Sequence, residues 1–213
     1  YTNRRNMVGV VTDGSACLGL GDIGPLASKP VMEGKAVLFK HLAGVDSMDI
    51  ELDVEDVEDF ITTTRSLEPT FAGINLEDIA SPACFEIEER LREHMNIPVF
   101  HDDQHGTAII TGAALLNAAE LQDKSLEDLD VVFAGAGAAG IATAELYVTL
   151  GVKRENITMC DKEGVIYEGR DDDLDPFKAQ FARETDDRTL AGGMEGADVF
   201  VGVAVGGIVD QEM

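Results

Sequence analysis

Basic residues are scarce in this chain: 16 Lys and Arg stand against 41 Asp and Glu in 213 residues, a formal net charge of −25. A field of that sign repels phosphate backbones and anionic headgroups, which excludes nucleic acid and membrane surfaces as partners. Cysteine is sparse too. Cys17, Cys84 and Cys160 lie far apart with no partner at metal-ligand spacing, which predicts buried free thiols in a reducing compartment rather than a cysteine-built metal site. No apolar run approaches the roughly 20 residues that cross a bilayer, and the start YTNRRNMVG lacks the layout of a signal peptide. Repeats and low-complexity linkers are missing. The expectation is a soluble, cytoplasmic protein.

What is present is an ordinary core composition, 45% hydrophobic, on a length that suits one large or two small domains. The acidic runs DVEDVEDF (53–60) and DDDLD (171–175) would suggest disorder, but Val54, Val57, Phe60 and Ile61 interleave the first at helical spacing. The charge therefore covers a folded surface. Self-repulsion of this size is relieved by concentrated salt, so a halophilic cytoplasm is expected. Tyr1 in place of Met, and a chain that closes soon after its last apolar run, predict a central piece of a longer protein.

Apolar runs at 7–11, 71–76, 97–100, 130–134, 157–160 and 198–203 read as buried strands, and helical patterns occupy about 30–42, 54–67, 83–95, 105–122 and 138–150. That alternation predicts an α/β fold with mostly parallel sheets. The polar stretch QDKSLEDLD (122–130) follows a long helix and precedes a new strand, which places a domain boundary between 105 and 130.

The second half carries a dinucleotide-binding signal, strand DVVFA running into GAGAAG: Gly135, Ala136, Gly137, Ala138, Ala139, Gly140. Gly135 permits the tight turn, Gly137 lets backbone approach a pyrophosphate, and Gly140 lets helix and sheet pack closely. The helix N-terminus then offers free N–H groups to the phosphates. Asp161 closes the next strand 21 residues after Gly140, where an acid would bind the adenosine ribose. Asp161 favours NAD, whereas Lys162 and Lys178 suit the 2′-phosphate of NADP; the sequence leaves this open.

The first half carries the chemistry. GINLEDI (73–79) is an apolar strand ending in Glu77 and Asp78, and IPVFHDD (97–103) is another ending in Asp102 and Asp103. Adjacent parallel strands bring these ends together at the carboxyl edge of a sheet. Four carboxylates in one small volume repel and raise one another's pKa, so a divalent cation is the natural compensation. Oxygen-only ligation points to Mg²⁺ or Mn²⁺. The plainer alternative is that each pair caps the helix behind it.

Residues 10–40 (VVTDGSACLGLGDIGPLASKPVMEGKAVLFK), 68–93, 97–118 and VVFAGAGAAGIA (131–142) resemble malic enzyme of the shorter prokaryotic type, in order and across nearly the whole chain. The resemblance implies a metal- and substrate-binding domain over 1–105 and a Rossmann NAD(P)-binding domain over 106–213. It also implies oxidation of malate with NAD(P)⁺ and decarboxylation to pyruvate. By position it assigns metal ligation to Glu77, Asp78 and Asp103, the general base to Lys35, and a hydrogen bond to that base to Asp102. A nearby cation lowers the Lys35 pKa toward the neutral form the role needs, whereas Asp102 raises it. Ala16 stands where many relatives carry a substrate-clamping arginine. The family's catalytic tyrosine would precede residue 1, its substrate-binding asparagines would follow residue 213, and a homodimer or larger homo-oligomer is implied.

Lys29 and Lys40 rival Lys35 in the same helical pattern, His101 and His105 suit supporting roles around the acids, and Arg65 and Arg92 are expected to pair with neighbouring acids. Two other readings stay open: a dehydrogenase without decarboxylation, and a noncatalytic nucleotide-binding module.

Overall fold

The computed structural model describes residues 1–170 and 174–213, so Asp171, Asp172 and Asp173 of the second acidic run lie outside it. The described residues form two compact units, Tyr1–Asp103 and Gln104–Met213. Both are α/β. No helix in either is long and apolar enough to cross a membrane.

The first unit is a four-stranded parallel sheet ordered β2-β1-β3-β4, from β1 (Met7–Thr12), β2 (Asp46–Glu51), β3 (Gly73–Leu76) and β4 (Val99–His101). Its helices are α1 (Gly24–Leu38), α2 (Val57–Ser66) and α3 (Ala83–His94). The central strands β1 and β3 are short apolar runs because a parallel sheet is covered on both faces. Val10, Val11, Ile74 and Leu76 are buried, with Phe60, Ile61, Phe71, Ile87 and Leu91 among the core residues of the same unit. Each such side chain contributes about 1.5–3 kcal/mol relative to exposure. Asp56 caps α2 by accepting the Asp59 N–H at 2.9 Å.

Three expectations need correction in this unit. β2, reading DSMDIE, was not anticipated, because it has no apolar run: it is a half-buried edge strand. Its acids meet lysines instead of a hydrophobic layer, Asp46 pairing with Lys40 at 2.6 Å and Asp49 and Glu51 with Lys29. The first helix begins at Gly24 rather than near residue 30, since Gly24 has φ +73 and Pro25 suits the first turn. It closes in a π turn, Phe39–Ala43, capped by left-handed Gly44.

A π turn, Asp102–Gly106, leads into the long helix α4 (Thr107–Gln122), which starts two residues later than its sequence pattern suggests. The rest of the second unit is built around a second sheet. That sheet is ordered β7-β6-β5-β8, from β5 (Val131–Ala134), β6 (Ile157–Asp161), β7 (Gly164–Val165) and β8 (Val199–Gly202). β5 pairs in parallel with β6 and β8, and only the short β7 runs antiparallel. The remaining helices are α5 (Ala138–Leu150), α6 (Pro176–Ala179) and α7 (Leu190–Met194). Phe133 on β5 meets Tyr147 on α5 with ring centroids 5.7 Å apart. Cys17, Cys84 and Cys160 are free and buried.

Candidate active site

β3 and β4 lie side by side with Leu76 opposite His101, so the two acidic pairs leave the sheet at the same edge. Neither pair caps a helix: α3 is entered through Pro82 and α4 through Gly106, with no side-chain cap at either. The carboxylates instead face one another. Glu77, Asp78 and Asp103 each offer an oxygen, all within 4.8 Å of one another.

Lys35 reaches this group from α1. Its Nζ donates to Asp102 Oδ2 at 2.7 Å and stands 3.0 Å from Glu77 Oε2, while Glu77 Oε2 also accepts from Asn75 Nδ2 at 2.7 Å. Lys29 and Lys40 are committed to β2, so of the three rivals Lys35 meets the acid cluster. It also lines, with Asp102, a largely apolar cavity of about 470 Å³ that includes Leu38, Phe39, Ile74 and Phe100. Burial alone would lower the Lys35 pKa, but the Asp102 hydrogen bond and the charges of Glu77 and Asp102 outweigh it, and the net direction is upward.

The three clustered acids shift the other way from ordinary surface carboxylates. Burial raises Glu77, Asp78 and Asp103 alike, and the charges of Glu77 and Asp78 add to the effect on Asp103, which reaches about 7. An oxygen-only set that is buried and mutually repulsive fits a hard divalent cation. Asp78 has left-handed backbone, φ +55, which turns its N–H onto Asp103 Oδ2 at 2.9 Å. That geometry ties two of the three acids together.

Of the two histidines, His101 adjoins the cluster. His101 is fully buried, its Nε2 3.9 Å from Asp103 Oδ2, and its backbone N–H donates to Glu88 Oε1 at 3.3 Å. His105 is half-buried. Arg65 and Arg92 are exposed and make no ion pair among the described residues, contrary to the expectation of acidic neighbours.

In the second unit the glycine loop joins β5 to α5. A Cβ on Gly140 would lie 2.0 Å from the Gly135 carbonyl oxygen, and one on Gly135, at φ +123, would lie 2.5 Å from the Val203 carbonyl oxygen. Gly137, by contrast, opens onto free space, with nothing within 4 Å of a Cβ there. Ala136 is buried, Ala138 and Ala139 open the first turn of α5, and Gly137 precedes that turn in extended conformation. The result is a bare backbone surface above a helix N-terminus, a cradle for phosphate oxygens.

Asp161 ends β6, but its carboxylate is engaged. Arg170 donates to both of its oxygens at 2.9 and 2.8 Å, and Lys178 Nζ stands 3.6 Å away. Burial would raise the Asp161 pKa, yet Arg170 and the Glu163 amide outweigh it and the net direction is downward. Lys162 is exposed and pairs with Glu163 at 3.8 Å. Arg170 and Asn75 were missed from sequence: an arginine nine residues past a strand carries no signal, whereas an asparagine two before Glu77 on the same strand face does.

The chain matches the family model described as malic enzyme, N-terminal domain, over residues 1–58 and 54–92, and the one described as malic enzyme, NAD binding domain, over 104–203. It is 56% identical to an NAD-dependent malic enzyme of Rhizobium meliloti and 56% identical to an NADP-dependent malic enzyme of Halomonas elongata. All of this chain is covered in both, against 28% and 50% of those relatives. The crystal structure of an NAD-dependent malic enzyme from Thermotoga maritima superposes with a TM-score of 0.93 at 47% identity, covering 99% of this chain and 56% of that one. The chain thus spans half or less of the length of these curated relatives.

Proposed function

The chain belongs to the malic enzyme family, and on that premise we propose that it forms the metal-binding and nucleotide-binding part of an enzyme that oxidises malate and decarboxylates it to pyruvate, with NAD(P)⁺ as oxidant. The observation that carries this reading is Lys35 held between Asp102 and Glu77, beside three carboxylates whose oxygens lie within 4.8 Å of one another.

Glu77, Asp78 and Asp103 would hold Mg²⁺ or Mn²⁺. When bound, the ion supplies Lewis acidity, lowering the pKa of a coordinated hydroxyl and stabilising negative charge on oxygen. Lys35 takes the proton of the malate C2 hydroxyl. It must be neutral to do so, and Asp102 and Glu77 push it the opposite way; sharing Glu77 with a cation removes part of that push. Asp102 keeps the amine aimed, so the base is positioned before substrate arrives. The apolar cavity wall beside Lys35 limits water around the amine.

Gly135 to Gly140 would hold the pyrophosphate on the N-terminus of α5. The nucleotide supplies the hydride acceptor. Because Asp161 is neutralised by Arg170 and approached by Lys178, the setting suits the additional phosphate of NADP⁺. A dehydrogenase without decarboxylation has no use for the three-acid cluster, which favours the malic enzyme reading. The excess of acid fits a salt-rich cytoplasm as its place of work.

The test uses a chain of the relatives' full length that contains these 213 residues, in molar KCl with malate, Mn²⁺ and each nucleotide in turn. Reduced nucleotide and pyruvate should form together and only with the metal. Reduced nucleotide without pyruvate would support the nondecarboxylating alternative.

A further inference from the structure

β3 is four residues long and all four are buried, yet one of them is polar. Asn75 stands in register between Val10 on β1 and Phe100 on β4, and is 3% exposed. An amide among such neighbours costs free energy unless it is hydrogen-bonded. Strand alternation supplies the partner: side chains two residues apart share a face of the sheet, and Asn75 Nδ2 donates to Glu77 Oε2 at 2.7 Å. Its other contact, to the Leu76 carbonyl at 3.4 Å, is too long to be the main one. The amide is spent on the carboxylate.

Among the described residues the one other side chain that donates to Glu77 is Lys35, whose Nζ lies 3.1 Å from Oε1 and 3.0 Å from Oε2. The two donors differ in what the reaction asks of them. Lys35, read as the general base, has to aim its amine at the C2 hydroxyl of malate, so its contacts to Glu77 do not last through turnover. Asn75 has no such task, and its backbone is locked in the parallel ladder on both sides. A neutral amide also adds no positive charge to repel a cation. Oε2, with two donors, is the more engaged oxygen of Glu77; Oε1 is the freer one.

We propose that Asn75 is a positioning residue for the divalent cation: it holds Glu77 in ligating position independently of Lys35. The proposal rests on the reading of Glu77, Asp78 and Asp103 as the metal site and of Lys35 as the base. Its consequence is a division of labour at one carboxylate. Lys35 moves during the reaction, and the metal site keeps its shape.

A double-mutant cycle separates this role from packing. Asn75→Leu keeps about the volume of the amide but has no donor, and Lys35→Met removes the other donor to Glu77. The readout is direct titration of the 213-residue chain with Mn²⁺, followed by the paramagnetic resonance of the free ion. Asn75→Leu alone is expected to bind Mn²⁺ about tenfold more weakly than the parent, the size usual for a lost outer-sphere partner. In the Lys35→Met background the same substitution should cost about a hundredfold, because no side-chain donor then remains on Glu77. Two groups that hold one carboxylate couple in this way, whereas a packing role gives the same factor in both backgrounds. Mn²⁺ affinity unchanged by Asn75→Leu, or a loss no larger in Lys35→Met than in the parent, overturns the proposal. If Asn75→Leu loses its far-ultraviolet dichroism, Asn75→Ala serves as the donor-free variant under the same criteria. Asp103→Asn is the separate control: if it and the parent bind Mn²⁺ alike, the metal-site reading itself fails.

Discussion

Lys35 and Asp102 come from a helix and a strand end 67 residues apart in sequence, and meet through a 2.7 Å hydrogen bond between Nζ and Oδ2. Lys35→Ala should reduce malate oxidation by a factor of about 10² to 10⁴, the range for losing a general base, while nucleotide binding by the Gly135 loop persists. Asp102→Asn tests the pairing more finely. Asp102 raises the Lys35 pKa, and only neutral Lys35 accepts a proton. The acid limb of the pH–rate profile should therefore move to lower pH in Asp102→Asn; an unmoved limb would exclude Lys35 as the group it reports.

Asp103 is expected to set the pH dependence of Mn²⁺ binding. Its pKa is raised from the ordinary carboxylate value to about 7, chiefly by burial and then by Glu77 and Asp78. Below about 7 a proton competes with the cation, so Mn²⁺ affinity should fall on the order of tenfold per pH unit through that range. Without metal the sign reverses for stability. A carboxyl whose folded pKa is raised contributes stability that is full below the unfolded value and lost as pH rises through the folded one. The metal-free chain should accordingly lose stability between about pH 4 and pH 7, and added Mn²⁺ should restore it at the upper end; thermal melts across that range read both effects.

The glycine loop yields a contrast. Gly140→Ala places a methyl 2.0 Å from a backbone oxygen and should cost about 3 kcal/mol, seen as a lowered Tm. Gly137→Ala meets nothing within 4 Å and should leave Tm nearly unchanged while weakening nucleotide binding, because the methyl occupies the space a phosphate needs. Equal Tm losses in the two variants would contradict this division.

Lys178 is expected to bear on the choice of nucleotide. Its Nζ lies 3.6 Å from Asp161 Oδ2, and Lys178→Gln removes a cation from that neighbourhood while keeping a polar side chain. NADP⁺ binding should weaken about tenfold, equivalent to roughly 1.4 kcal/mol, with NAD⁺ binding little changed. The difference should shrink in high salt.

Salt itself is the last variable. With a formal charge of −25, the Tm of this chain should rise steadily from dilute buffer into molar KCl, where screening acts over about 3 Å. A Tm independent of KCl would remove the halophilic reading.

Much of the site was legible in sequence because it sits where strands end. An apolar run followed directly by Glu77-Asp78, and another by Asp102-Asp103, locates four acids at a sheet edge without any knowledge of side-chain positions. Lys35 was not readable that way. Nothing local separates it from Lys29 or Lys40; what separates them is that β2 carries three acids that take the other two lysines. β2 went unseen because its stability comes from pairing with β1 and from ion pairs, which leave no hydrophobic period in DSMDIE. The Arg170 bridge to Asp161 is a tertiary consequence of loop closure, invisible to spacing rules.

β2 also closes one side of its sheet, and an open sheet edge is a template on which another strand can add. Here the rail is lined with Asp46, Asp49 and Glu51. A second copy arriving edge to edge would set each of these against a duplicate, so like charge blocks the strand-on-strand growth that leads to aggregates. Glu51, whose carboxyl is pushed up by burial and by Asp49, would be early to surrender its charge in acid. Asp46 and Asp49 are shifted the other way, so this guard thins first at Glu51.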